Sequence, residues 1–255
     1  MDVFAFLAVH LDLRGRFLLA FLCTSHMKNP SIFISDEEAS SAIVAIAKVC
    51  KEKDIAFWTL GTLLKAGGNV NHVTVDGATA LSFVCHERAA RALIAAKADI
   101  NKVDYKGYTA LTKSAFEGRE QAARVLIAAG ADVKYAKSGG FTSLMFASGA
   151  GHEQIVHELI GAGAPVNQRR QSDGSTALML AVDEGKEKVV ISLIEAGADP
   201  NLSSRNLTPL ISAAKKGDEK IVHVLLENGA TYTAFEYAVV YVTTVLATVT
   251  GMLRE

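Results

Sequence analysis

Few residues of this chain have types and spacings that could do chemistry, and none completes a reactive set. Cys85 and His86 are adjacent and could begin a metal site, but no third ligand lies near them, and zinc takes three or four protein ligands. His152 and His157 are five residues apart, which puts them about 140° apart around a helix and makes them poor joint ligands. Asp36-Glu37-Glu38 follows Ser35. Ser35 with Glu38 is a capping box, so these acids start a helix and are not a catalytic pair. No Gly-x-x-x-x-Gly-Lys-Ser/Thr phosphate loop and no Gly-x-Ser-x-Gly elbow occurs, and Gly149-Ala150-Gly151 and Gly161-Ala162-Gly163 are helix stops, not dinucleotide fingerprints. The expectation is a protein that is not an enzyme and holds no cofactor and no metal.

Composition narrows the class further. Of 255 residues, 50% are hydrophobic but only 7% aromatic, so alanine and small aliphatic residues do much of the packing. The net charge of -1 asks for no nucleic acid. Cys23, Cys50 and Cys85 form no C-x-x-C and no even framework, which fits a reducing, cytoplasmic compartment. With four prolines and no low-complexity run, long disorder is not expected.

The elements that would position any site come from a repeat. Lys106–Lys134 opens with Gly-x-Thr-x-Leu, carries a second glycine near its middle and closes with Leu-Ile-x-x-Gly-Ala-Asp-Val. Altered copies put threonines at Thr79, Thr109, Thr142, Thr176 and Thr208, a period near 33 residues. In each copy Thr-x-Leu begins a short helix whose free amides the threonine can cap. Gly118, Gly151, Gly185 and Gly217 end it. A second helix carries aliphatic doublets four residues apart, such as Ile155-Val156 and Leu159-Ile160. Gly130, Gly163, Gly197 and Gly229 stop that helix. The doublets make a stripe too broad for one partner helix, so no copy folds alone and several must stack.

These units resemble ankyrin repeats. The nearest stretch runs from Gly151-His152 through Ile155-Val156 and Leu159-Ile160 to Gly163-Ala164-Pro165-Val166-Asn167. The resemblance covers about two thirds of the chain and implies an all-α solenoid of helix–turn–helix units with β-turn finger loops. Departures are visible. The Thr-Pro-Leu-His opening keeps its proline only at Pro209, and its histidine is replaced by Ser82, Thr112, Met145, Met179 and Ile211. The first full unit lacks three residues around its inter-helix glycine, so a tight turn is expected at Cys85-His86, and Lys97 stands where the terminal glycine belongs.

The expected organisation is an irregular segment over 1–35, a repeat domain over 36–233 and an apolar helix over 234–255. Within the repeat domain, a degenerate capping unit spans 36–75, with a helix over Ala39–Lys51, a second helix near Ile55–Lys65 and Trp58 as packing. Full repeats follow at 76–104, 105–137, 138–171, 172–203 and 204–233. Val3–Val9 and Phe17–Cys23 are too short to span a bilayer; the second run after two arginines leaves a targeting segment open beside a cap over the array. Tyr237–Leu253 is uncharged. It either packs on the last repeat or, as an alternative, tethers the protein to a membrane.

The resemblance implies binding of another protein by a single-chain array, through a concave face of turn tips and first helices. The matching positions are Tyr105, Lys106, Tyr108, Phe116 and Glu117 in the second full unit, and Ser138, Phe141, Gly149 and Ala150 in the third. The fourth contributes Ser172, Asp173, Ser175, Asp183 and Glu184, and the last Ser204, Arg205, Leu207, Lys215 and Lys216. Tyr105, Tyr108, Phe116 and Phe141 are expected to present rings as interface anchors; the alternative is that they pack between fingers. Charge changes sign from Asp183-Glu184 to Lys215-Lys216. Leu93 followed by Asp99-Ile100-Asn101 matches the pattern of repeat asparagines hydroxylated by a dioxygenase. Asn101 is then either a modification substrate or a residue that holds its finger loop.

Overall fold

The structure is a computed structural model of the chain that describes residues 36–49, 60, 61, 63, 64, 68–205 and 207–232. The readings of 1–35, of Ser35 in its capping box, of Trp58 with most of the Ile55–Lys65 helix, and of Tyr237–Leu253 lie outside these residues. Among the described residues, no helix is long and apolar enough to cross a membrane.

Among the described residues, ten α-helices carry the fold. They are α1 (Asp36–Val49), α2 (Glu87–Ala95), α3 (Ala110–Glu117), α4 (Glu120–Ala128), α5 (Ser143–Ala150), α6 (Glu153–Gly161), α7 (Ala177–Asp183), α8 (Glu187–Glu195), α9 (Pro209–Lys216) and α10 (Glu219–Glu227). A 3-10 turn spans Ala80–Phe83, and one short hairpin pairs β1 (Ala136–Lys137) with β2 (Phe141–Thr142). The chain forms two compact units. One comprises the residues up to Ala110 with Arg124–Ala131, the other Leu111–Ala123 with Asp132 onward.

In the first unit α1 packs on the 3-10 turn, with Ile43, Ile46, Leu60, Leu63, Leu81 and Leu93 fully buried. The three missing residues explain why Ala80–Phe83 makes one tight turn where the other copies make two turns of α-helix. Thr79 has extended backbone yet makes no cap hydrogen bond, so the expected capping fails here. Lys97 takes the left-handed conformation (φ 69°) that glycine occupies in the other copies.

In the second unit, first helices pack on first helices (α5 on α7, α7 on α9) and second on second (α6 on α8, α8 on α10). The aliphatic doublets supply the buried face: Ile155, Val156 and Leu159, then Val189, Val190 and Leu193, then Ile221, Val222 and Leu225. Thr142, Thr176 and Thr208 each accept a hydrogen bond from the amide three residues on, as expected for N-caps. Gly151 and Gly217 are left-handed, at φ 84° and 76°. Ala147, Ala181 and Ala213 are fully buried mid-helix, where a larger side chain would push neighbouring helices apart.

Asparagines lace the loops. Asn167 accepts from the Asp199 amide at 2.8 Å and donates to Gly197 O at 3.0 Å. Asn201 does the same with the Thr231 amide (2.8 Å) and Gly229 O (3.0 Å). In the first unit Asn71 holds the Asp99 amide at 2.7 Å. Asn101 occupies the corresponding position one repeat later.

Candidate functional site

In the first unit the turn tips present apolar surface to solvent. Val75 is 96% and Tyr105 79% exposed. The Tyr105 ring lies flat over Gly77, where a Cβ would come within 2.7 Å of ring carbon, and the Tyr105 amide donates to Asp76 O at 2.9 Å. Tyr105 is therefore held in place while its outer face stays open. Buried Asp104 shapes the same turn: its carboxylate accepts from the amides of Lys106 (2.9 Å) and Tyr108 (2.8 Å). The Lys106 side chain is exposed and the Tyr108 ring half-buried.

In the second unit a continuous run of rings and charges links the predicted positions. Phe116 is 55% exposed and meets Phe146 edge-on at 5.7 Å. Phe146 stacks on Phe141, with centroids 5.0 Å apart and planes at 14°. The Arg170 guanidinium lies over the Phe141 ring, 4.3 Å from its centroid. Arg170 in turn forks onto Asp173, with Nε to Oδ1 at 2.7 Å and a second bond from Nη2 to Oδ2. These Arg170 hydrogen bonds, against desolvation, hold the Asp173 carboxyl at about 2, helped by the Ser175 amide. Arg205, left-handed at φ 48°, brings a second guanidinium to 4.0 Å.

Other predicted residues divide by exposure. Ser175 is buried and donates to Ser204 Oγ at 3.1 Å, because Ser204 gives its own proton to Asp173 O at 2.8 Å. Leu207 is half-buried, with its amide and carbonyl both bonded to Ser204 backbone. Glu117 is exposed and pairs with Arg119. Asp183, Glu184, Arg205, Lys215 and Lys216 are exposed, and Asp183 accepts a hydrogen bond from Ser212. His152 lies over Gly118 with Nε2 3.3 Å from Phe116 O, and His157 Nε2 is 3.2 Å from Ser192 Oγ; the two histidines serve separate contacts. Among the described residues no group of three or more His, Cys, Asp or Glu could hold a metal ion.

Phe146 and Arg170 were not legible as part of this surface. Phe146 reads as one apolar residue within a helix, and Arg170 as one charge of the Arg169-Arg170 pair. Only their contacts show what they do: Phe146 meets Phe116 and Phe141, and Arg170 meets Phe141 and Asp173.

Paired short helices in a period near 33 residues, glycine-stopped and laced by asparagines, define a helical-repeat protein. The sequence pattern described as ankyrin repeats (3 copies) matches residues 46–137 and 139–236. The chain belongs to the ankyrin repeat family. Among solved structures it is similar to the crystal structure of the human ASB11 ankyrin repeat domain, with a TM-score of 0.64 and 25% identity over 76% of this chain and 84% of that one. No curated protein sequence matches it significantly. Ankyrin repeats are generally protein–protein interaction modules, and proteins built from them are generally non-enzymatic.

Proposed function

We propose that this chain binds another protein through its turn tips and the ends of its first helices, the face that ankyrin repeats present as concave. The observation that carries this reading is the exposure of two large rings at such positions, Tyr105 at 79% and Phe116 at 55%. Both rings are backed on one side, by Gly77 and by Phe146, so little side-chain freedom is lost when a partner covers the other. Beside Tyr105 in the first unit lie exposed Lys106 and half-buried Tyr108. In the second unit Glu117, Asp183, Glu184, Arg205, Lys215 and Lys216 supply exposed charges, and Ser175, Phe141 and Leu207 are buried or half-buried positions. A reducing, cytoplasmic setting fits Cys85, which is a free thiol.

The test is affinity capture with the full chain against a Tyr105→Ser/Phe116→Ser double variant, scored by quantitative mass spectrometry. Loss of a defined set of interactors supports the reading. Recovery of the same interactors at the same level by both proteins overturns it.

A further inference from the structure

The second unit carries a surface more particular than a general docking face. Phe116 and Phe146 meet edge-on. Gly149 and Ala150 follow Phe146 by three and four residues, so they share its side of α5. A Cβ at Gly149 would meet only Leu180 Cβ, at 3.7 Å. Gly149 and the small Ala150 leave a shallow apolar notch beside Phe146 and its neighbour Phe116, with Leu180 against Gly149. Asp183 and Glu184 follow Leu180 by three and four residues on α7, and Lys215 and Lys216 follow Ser212 in the same way on α9. Ser212 donates to Asp183, which joins the two helices at this level and orients the carboxylate.

The charges here are not used up internally. The side chains of Glu184, Lys215 and Lys216 make no ion pair or hydrogen bond among the described residues, and all three are exposed. Other charges in the same unit do pair, as Lys188 with Glu153 and Lys220 with Glu187. Two adjacent acids followed by two adjacent bases impose a polarity on whatever lies across them.

Resting on the protein-binding reading above, we infer that the partner presents a peptide segment with a bulky apolar residue at one end, basic residues in the middle and acidic residues at the other end. The apolar residue fills the notch, the basic residues face Asp183 and Glu184, and the acidic residues face Lys215 and Lys216. The opposite order would set like charges against each other while the notch was filled.

A displayed random-peptide library selected on the full chain tests this. The same selection is run on the chain carrying Asp183→Lys, Glu184→Lys, Lys215→Glu and Lys216→Glu, all exposed positions. Two synthetic peptides of one composition, with basic and acidic blocks exchanged, are measured on the unaltered chain by fluorescence anisotropy. The expected result is enrichment of apolar–basic–acidic peptides, at least tenfold tighter binding of that order, and the reverse preference on the charge-exchanged chain. Equal binding of both orders, with binding still lost on Phe116→Ala, overturns the charge order and leaves the protein-binding reading standing. Peptides indifferent both to the charges and to Phe116, or a library that yields none, overturn the two together.

Discussion

The guanidinium of Arg170 lies 4.3 Å above the ring of Phe141 and closes the face that would otherwise meet water. Phe146 stacks on the same ring, with centroids 5.0 Å apart. Phe141 is thus held by two contacts, one of them fixed by Asp173, and the ring that reads in sequence as an exposed anchor is half-buried. Phe116, one ring further along, keeps its outer side open.

This arrangement predicts different consequences for the two rings. Phe141→Ala removes a stacked pair and a cation–π contact from a half-buried site and is expected to cost about 2 kcal/mol. Phe116→Ala is expected to cost under about 1 kcal/mol and to act on partner binding instead. Urea denaturation of the two variants checks the split. Equal destabilisation would refute the assignment of supporting and presenting roles.

Asp173 predicts an acid-dependent stability. Its carboxyl is lowered from 3.8 to about 2. The unfolded chain therefore takes up the proton first as pH falls. The stabilisation is full above about pH 4 and is lost as pH drops through the folded value near 2. Asp173→Asn should destabilise the neutral protein by about 1.5–3 kcal/mol, the range for a hydrogen bond to a charged group. The gap between variant and wild type should narrow between pH 4 and pH 2, followed by denaturation midpoints across that interval. A constant gap would exclude Asp173 as the titrating group.

Lys97 and Gly163 end corresponding helices with the same left-handed backbone, at φ 69° and 82°. Nothing lies within 4 Å of a Cβ placed at Gly163, so an alanine there meets open space and only the backbone resists it. Lys97→Gly is expected to stabilise by up to about 1 kcal/mol and Gly163→Ala to destabilise by about 1 kcal/mol. Thermal melts of the two single variants should move in opposite directions.

Asn167 clips the following loop with two hydrogen bonds. Both are exposed, so Asn167→Ala should cost only about 1 kcal/mol overall. Its local effect should be larger: the Asp199 amide loses its acceptor and should exchange with deuterium at least several-fold faster. Unchanged exchange at Asp199 would show that the loop is held by other contacts.

Much of the fold was legible without coordinates because its determinants are local. A threonine before a short helix, a glycine after it and an aliphatic doublet four residues from the next are each read within one or two helical turns. Their recurrence at Thr79, Thr109, Thr142, Thr176 and Thr208 fixes the all-α repeat. Three residues missing before His86 predict a tight turn at Cys85-His86; the shortening falls instead on the helix before it, which becomes a 3-10 turn at Ala80–Phe83. The surface was legible only by position. Tertiary structure decided that Tyr105 and Phe116 are exposed while Phe141 is half-buried, and that Ser175 spends its proton on Ser204. Those outcomes depend on side chains brought from 5 to 29 residues away, Phe146 beside Phe141, Arg170 over it, Ser204 beside Ser175. A ring's exposure is a property of what lies on both of its faces, and the linear sequence states only what comes before and after it.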